Sequence, residues 1–192
     1  MSALQLEAAA TILGPLLDEL VFIGGATIHL WLTEPGAPPT RATYDVDVIC
    51  EVATRLEYYR LGSRLRDRGL QEASDEQVIC RWKSADPELV LDVMPTDPDI
   101  LGFSNLWYEE AISTAATIAL DSGAEIRVAM PVPLIATKLC AWKGRGKDDV
   151  LRSLDVHDVL TLIDGRPELA SEMAAARVCS ETASRNSSPP DP

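Results

Sequence analysis

Apolar positions along this chain change period often, from helical spacing to short continuous runs, and the changes predict alternating helices and strands. Residues 4 to 19 carry apolar side chains at helical spacing and predict an amphipathic helix. Val21 to Ile23 predict a short strand that ends in the pair Gly24-Gly25, and a helix through Ala26 to Leu32 follows. The stretch TEPGAPPTRAT holds three prolines and a glycine, which exclude regular structure, so it is loop. RATYDVDVI then predicts a strand, and a helix runs from about Thr54 to Arg68. EQVICRWK and ELVLDVMP predict two strands of a hairpin joined through Ser84-Ala85-Asp86-Pro87. TDPDILGF is loop, with Ser104 as N-cap of a helix beginning near Asn105. TIAL and EIRVA flank Asp121-Ser122-Gly123, a second hairpin signal. Pro131 and Pro133 open a helix to about Trp142, and helices near Asp155 to Leu162 and Pro167 to Val178 complete the pattern. The closing SETASRNSSPPDP is rich in Ser and Pro and predicts a disordered tail.

This order predicts an α+β (or α/β) domain with a mixed β-sheet flanked by helices. The expected organisation is a core over 1–130, a helical C-terminal part packed on it over 131–179, and a tail over 180–192. A length of 192 residues suits one domain with its own core. The four cysteines, Cys50, Cys80, Cys140 and Cys179, lie far apart without a CxxC, which favours reduced, buried thiols over a disulfide framework or zinc site. The first residues lack a basic leader and include Glu7, Asp18 and Glu19, unlike a signal peptide, and no apolar run approaches membrane-spanning length. A cytoplasmic protein is expected.

The net charge of −13 argues against capture of nucleic acid through the overall field, so an anionic ligand must meet a local basic patch. Two segments offer one: Arg55, Arg60, Arg64, Arg66 and Arg68, and later Lys138, Lys143, Arg145, Lys147 and Arg152. In the first, Arg60, Arg64 and Arg68 share one helical face; a solvated face pairing with Glu57 and Asp67 explains them equally well.

The most informative positions are Asp45 and Asp47. Side chains two apart in a strand share one face, and two carboxylates among Tyr44, Val46, Val48 and Ile49 are costly unless something cationic lies between them. A divalent metal is one answer, because Mg²⁺ is typically held by one or two carboxylates together with substrate phosphates. A glycine turn nearby, at Gly24 and Gly25, could offer backbone N–H groups to those phosphates. Asp92 sits in the apolar run LVLDVMP, where a core side chain is expected. Were its strand beside that of Asp45 and Asp47, three carboxylates would converge as in-line phosphoryl displacement requires. Lys138 falls inside the apolar stripe of Leu134, Ile135, Leu139 and Trp142, so it must snorkel or meet an anion. Asp155 and Asp158 also have a structural explanation, Asp155 as a cap and Asp158 beside the positive helix end. His29 and His157 show no metal-ligand spacing. Arg81 and Lys83 depend on hairpin register: with Lys83 opposite Glu88 they share the Asp92 face, and a one-residue slip turns them away.

Gly-Gly, a helix, R-x-T-x-D-x-D at Arg41, Thr43, Asp45 and Asp47, then a lone aspartate at Asp92 resembles the nucleotidyltransferase superfamily of the DNA polymerase β type. Within it the chain is most similar to the AbiEii/AbiGii-type toxin nucleotidyltransferases, through Lys138 in LIATKLCAW, Arg145 to Lys147 and LDVHDV with Asp155 and Asp158. The likeness runs from about residue 20 to 165, and its first half is the more specific. It implies Mg²⁺ or Mn²⁺ on Asp45 and Asp47, with Asp92 completing the metal and catalytic set. It also implies nucleotide contacts from Gly24, Gly25, Thr43, Lys138, Arg145 and Asp155. One departure is Gly25, where the wider superfamily often has serine and so one more hydroxyl for phosphate.

The expected activity is nucleotide transfer from an NTP to an RNA (tRNA) or protein acceptor, as the toxin of a toxin–antitoxin or phage-defence pair with a cognate antitoxin as partner. Two alternatives stay open. One is nucleotidylation of a small molecule of aminoglycoside or lincosamide type, compatible with the acidic charge; the other is a nucleotide-binding or interaction module without transfer.

Overall fold

The computed structural model describes residues 2–52, 54–73, 80–85, 87–144, 150 and 152–176. Among them, seven strands form one mixed sheet: β1 Leu20–Ile23, β2 Val46–Cys50, β3 Gln71–Glu72, β4 Arg81–Ala85, β5 Glu88–Pro95, β6 Ala116–Ala119 and β7 Glu125–Val128. Their order is β3-β4-β5-β2-β1-β7-β6. The β2–β5 and β1–β7 pairs are parallel and the remainder antiparallel. The helices are α1 Ser2–Leu13, α2 Arg55–Asp67, α3 Pro98–Leu101, α4 Tyr108–Ser113, α5 Pro131–Gly144 and α6 Leu154–Gly165. The fold class is therefore α+β with a mixed sheet and flanking helices, as the pattern predicts.

Local chemistry explains where elements differ from the sequence reading. The first helix stops at Leu13 because Gly14 takes a φ of 52° and Pro15 follows; the chain continues as a 3-10 helix, Gly14–Glu19. The segment after the glycine pair is also a 3-10 helix, Gly25–Trp31. In the stretch read as loop, Asp97 accepts a hydrogen bond from the Asp99 backbone N–H at 2.8 Å and Pro98 opens α3, which Gly102 ends in the left-handed region. Ser104 caps nothing: its hydroxyl donates to the Thr96 carbonyl, and α4 begins only at Tyr108. Thr54 caps α2 and accepts from the Glu57 N–H at 3.2 Å. Helix returns over 169–176. The strand expected over 76–79, Asp86, the basic Arg145 to Lys147, Cys179 and the tail lie outside the described residues.

The arginines of α2 tie the fold together. Trp82 pairs laterally with Leu91, and Leu91 with Val46, so these three share a sheet face, and α2 packs there: Gly62 lies against the Trp82 ring and the Arg66 guanidinium sits 5.5 Å from its centroid. Arg68 Nε donates to the Ile12 carbonyl at 2.6 Å, joining α2 to α1, and Arg64 pairs with Glu19 at 2.6 Å. Arg66 pairs with Glu72. Arg64 and Arg66 thus pair with Glu19 and Glu72, which belong to other elements.

Cys50 and Cys80 are buried thiols, as expected, and burial pushes both up to about 12. Two measurable consequences follow from the same shift. Between the ordinary thiol value near 9 and about 12, unfolded thiols ionise while folded ones keep their protons, so these groups make stability fall as pH rises through that window. Burial keeps both thiols protonated and shielded at pH 8, so Ellman's reagent should label Cys50 and Cys80 only after unfolding in urea; labelling of either in the native protein at the rate of a free thiol would contradict their burial.

Candidate functional site

Lateral pairing across four strands assembles the centre of the site. Ile23 of β1 lies beside Asp47 of β2, Asp47 beside Asp92 of β5, and Asp92 beside Arg81 of β4. Directly paired residues point to the same side of a sheet, so these side chains form one row, and Asp45, two residues before Asp47, joins its face. The parallel β2–β5 pairing is what brings Asp92 next to the Asp45-Asp47 pair. The hairpin register places Lys83 opposite Val90 rather than Glu88, a shift of two residues from the sequence reading. An even shift preserves the face, so Arg81 stays on the carboxylate side and moves directly opposite Asp92.

Arg81 is the principal residue that the sequence left undecided. Its Nε donates to Asp92 Oδ1 and its Nη2 to Asp92 Oδ2, both at 2.8 Å, while Nη2 also reaches Asp45 Oδ2 at 2.9 Å. The Arg81 side chain is 20% exposed, Asp92 10% and Asp45 38%, so the bidentate half of the cluster is the more shielded from water.

The glycine turn is shaped by what faces it. Gly24 has a φ of 85°, and a Cβ there would overlap the Asp47 carboxylate, which packs directly over the turn. At Gly25 a Cβ would fall 2.6 Å from Arg41 Nη2 and 2.7 Å from Thr43 Cγ2. Glycine in the second place therefore makes room for Arg41 and Thr43, where a serine would collide with both. Thr43 is buried and its hydroxyl donates to Gln5 Oε1 of α1 at 3.1 Å, so its methyl, not its hydroxyl, faces the turn.

A second charged cluster joins the C-terminal helices to this turn. Lys138 Nζ of α5 lies 2.7 Å from Asp158 Oδ2 and 3.4 Å from Asp155 Oδ1, both on α6. Arg41 donates from Nε and Nη2 to the two oxygens of Asp158 at 2.8 and 3.0 Å. Lys138, Asp155 and Asp158 are all buried. Lys138 thus meets an anion, as its place in an apolar stripe demands, but the anion belongs to the protein. Leu139, assigned to that stripe, is exposed. Asp155 does not cap α6: Ser153 does, accepting from the Val156 N–H at 3.3 Å. Asp158 serves as the shared acceptor of Arg41 and Lys138 rather than acting on the helix end.

Gly24, Asp47, Lys138 and Asp155 line one open cleft of about 70 Å³ together with Asn105 and Tyr108. Asn105 is held by a hydrogen bond from Nδ2 to the Thr137 carbonyl, and the Tyr108 hydroxyl reaches the Met94 sulfur at 3.1 Å. Whole drug-sized ligands take roughly 300–1,000 Å³, so this volume holds a phosphate-sized group. A larger cavity of about 580 Å³ is lined by Glu51, Leu106, Trp107, Glu109 and Glu110 among others. Gly24, Asp47, Lys138 and Asp155 do not border it. Arg145 lies outside the described residues, so its expected nucleotide contact has no counterpart here.

The oxygen donors Asp45, Asp47 and Asp92 suit a hard divalent cation in their chemistry. Their present arrangement does not, because Arg81 holds two of the three. Among the described residues, no group of three or more histidine, cysteine or acidic side chains is gathered as a metal cage.

The chain is similar to a solved structure, that of an antigenic nucleotidyltransferase-like protein from Paracoccidioides brasiliensis, with a TM-score of 0.54, 20% identity, and coverage of 95% of this chain and 91% of that one. The fold is nucleotidyltransferase-like. No family model and no curated protein matches the chain. No helix among the described residues is long and apolar enough to cross a membrane.

Removing one member of a buried ion pair leaves the other charge without compensation, at a cost of about 3–5 kcal/mol. Asp158→Asn should therefore destabilise by about that amount in urea unfolding, and Lys138→Met by a comparable one. The double variant should lose at least about 1 kcal/mol less than the sum of the two; additive losses would show that the contact carries no coupling.

Proposed function

We propose that this chain is a metal-dependent nucleotidyltransferase that moves a nucleotide from an NTP to an RNA (tRNA) or protein acceptor. Its role would be that of a toxin in a toxin–antitoxin or phage-defence pair. One observation carries the reading: Asp45, Asp47 and Asp92 share one face of adjacent strands beside the Gly24-Gly25 turn, in a chain whose fold is nucleotidyltransferase-like. The toxin role and the cognate antitoxin rest on the likeness to AbiEii/AbiGii-type proteins in the motifs between residues 20 and 165.

In this reading Asp45 and Asp47 hold Mg²⁺ or Mn²⁺, with Asp92 completing the set, and the cation supplies charge neutralisation at the reacting phosphate. The chain's own contribution is placement. The glycine turn holds the triphosphate, and Lys138, Asp155 and Tyr108 border the same cleft. The acceptor oxygen forms a bond to the α-phosphorus, the bond from that phosphorus to the bridging oxygen of the β-phosphate breaks, and pyrophosphate leaves. The proton of the acceptor hydroxyl passes to Asp92.

The acidic lining of the cavity beside α4 favours a second acceptor class. Glu51, Glu109, Glu110 and Trp107 are among the residues that line about 580 Å³ there, a composition that suits a polycationic small molecule such as an aminoglycoside, in a space that Gly24 and Asp47 do not border.

The test incubates the protein with each α-labelled NTP, Mg²⁺ or Mn²⁺, and in parallel total tRNA, protein extract or an aminoglycoside panel. Asp47→Asn should lower labelling by at least about 10³-fold, the scale on which loss of transition-state charge stabilisation acts. Label on RNA or protein with the native chain alone supports the toxin reading, and label on an aminoglycoside favours the second. Absence of product with every acceptor, alongside NTP binding that requires Asp47, would leave a binding module and overturn both.

A further inference from the structure

The position between Asp45 and Asp92 is already taken by a cation. Arg81 commits its Nε and Nη2 there, two bonds on Asp92 and one on Asp45, at 2.8 to 2.9 Å. The sheet register delivers it: β4 places Arg81 directly opposite Asp92, so the contact needs no unusual excursion of a long side chain. A divalent ion on Asp92 would have to use the two carboxylate oxygens that already accept from Arg81. Arg81 and such an ion compete for those oxygens, and their like charges exclude one another there.

We propose that Arg81 is the resident counter-ion of the carboxylate row and also a ligand for the polyphosphate of the substrate: the row accepts a divalent cation when a polyphosphate draws the guanidinium off. A guanidinium pairs in the same forked geometry with phosphate as with carboxylate, so the exchange replaces one bidentate partner with another. A triphosphate carries more negative charge than either aspartate, and its arrival with a cation also removes the reason for Arg81 to remain, since the cation then neutralises Asp45 and Asp92. The cleft bordered by Asp47 and Gly24 has room for a phosphate-sized group. Only the identity of the polyphosphate as an NTP rests on the transferase reading; the exclusion between Arg81 and a cation stands on the geometry alone.

The experiment measures two affinities separately on the full chain: Mn²⁺ alone, by loss of the free-ion electron paramagnetic resonance signal, and inorganic tripolyphosphate alone, by calorimetry. Arg81→Gln keeps a polar side chain but no charge. It should bind Mn²⁺ about tenfold more tightly than the native chain and tripolyphosphate about tenfold more weakly, the size expected when one charge-assisted hydrogen bond is made or broken. A residue with a purely structural role would not move the two in opposite directions. Adding Asp92→Asn to Arg81→Gln should erase the Mn²⁺ increase. If Arg81→Gln does not fold, Arg81→Lys keeps the charge and the strand while losing the fork; it should then show both shifts at about threefold. An unchanged affinity for either probe, or both falling together, overturns the proposal. Opposite shifts without any labelled product would retain this role for Arg81 and remove the transferase reading. Labelled product with unchanged Mn²⁺ affinity would do the reverse.

Discussion

The parallel pairing of β2 with β5 is the constraint on which the site depends, because it sets Asp47 beside Asp92 on one side of the sheet. Neighbouring strands lie about 4.8 Å apart, and two carboxylates at that separation repel by about 3 kcal/mol at an effective dielectric of about 20. An apolar sheet would relieve this by slipping register, but a slip of one residue would turn Val46, Val48, Leu91 and Val93, all fully buried, toward the wrong face. The hydrophobic core therefore enforces a juxtaposition that electrostatics opposes. Arg81 is the local answer: three charge-assisted hydrogen bonds to two carboxylates outweigh one repulsion at longer range. The same core pattern also fixes Arg81, through Trp82, whose burial on the opposite face leaves its neighbour no other side to occupy.

A second constraint ties the helices to the sheet. α5 and α6 could pack on the core through Leu134, Ile135, Val159 and Leu162 in several rotations about their axes, since apolar contact is not directional. The ion pairs are directional. Asp158 accepts from Arg41, in the loop behind the glycine turn, and from Lys138 on α5, so one carboxylate locks two helices and the turn in a single arrangement. Gly25 is the steric counterpart of that lock, because the guanidinium it makes room for is the one that Asp158 holds. The absence of a serine in the turn is thus explained from within the fold: a side chain there would displace the arginine that anchors α6.

Much of this was readable in the chain, and the remainder failed for identifiable reasons. Alternation and the glycine pair located the strands of the site, and burial cost alone required a cation near Asp45 and Asp47. The identity of that cation was not legible, since it depended on a hairpin register that a turn of uncertain length could not fix; only parity carried over, which is why Arg81 lay on the expected face but opposite a different partner. Lys138 illustrates the same limit. Its stripe position demanded an anion, yet local spacing could not choose between a bound phosphate and carboxylates 17 and 20 residues away on another helix. Helix-terminal rules use only neighbours in sequence and so set Asp158 at the helix end, whereas its partner Arg41 is 117 residues distant.

The cleft between the two clusters has an uncommon electrical character. Lys138 borders it but is engaged by two aspartates; Asp47 also borders it, and Arg81, two strands along the same row, is engaged by two others. A monovalent anion arriving there must replace a carboxylate with a partner of equal charge while surrendering its own hydration, and gains little. A polyvalent anion that brings its own cation gains on both sides: it displaces the carboxylates from the guanidinium, and its cation takes over the carboxylates thus released. In a chain of net charge −13 such pre-engagement of the site's cations keeps buried acids compensated without a ligand. On the exchange proposed for Arg81, affinity would depend on anion and cation together rather than on either alone. On the same proposal, selectivity for a metal-bound polyphosphate over free phosphate would arise from the resting ion pairs themselves.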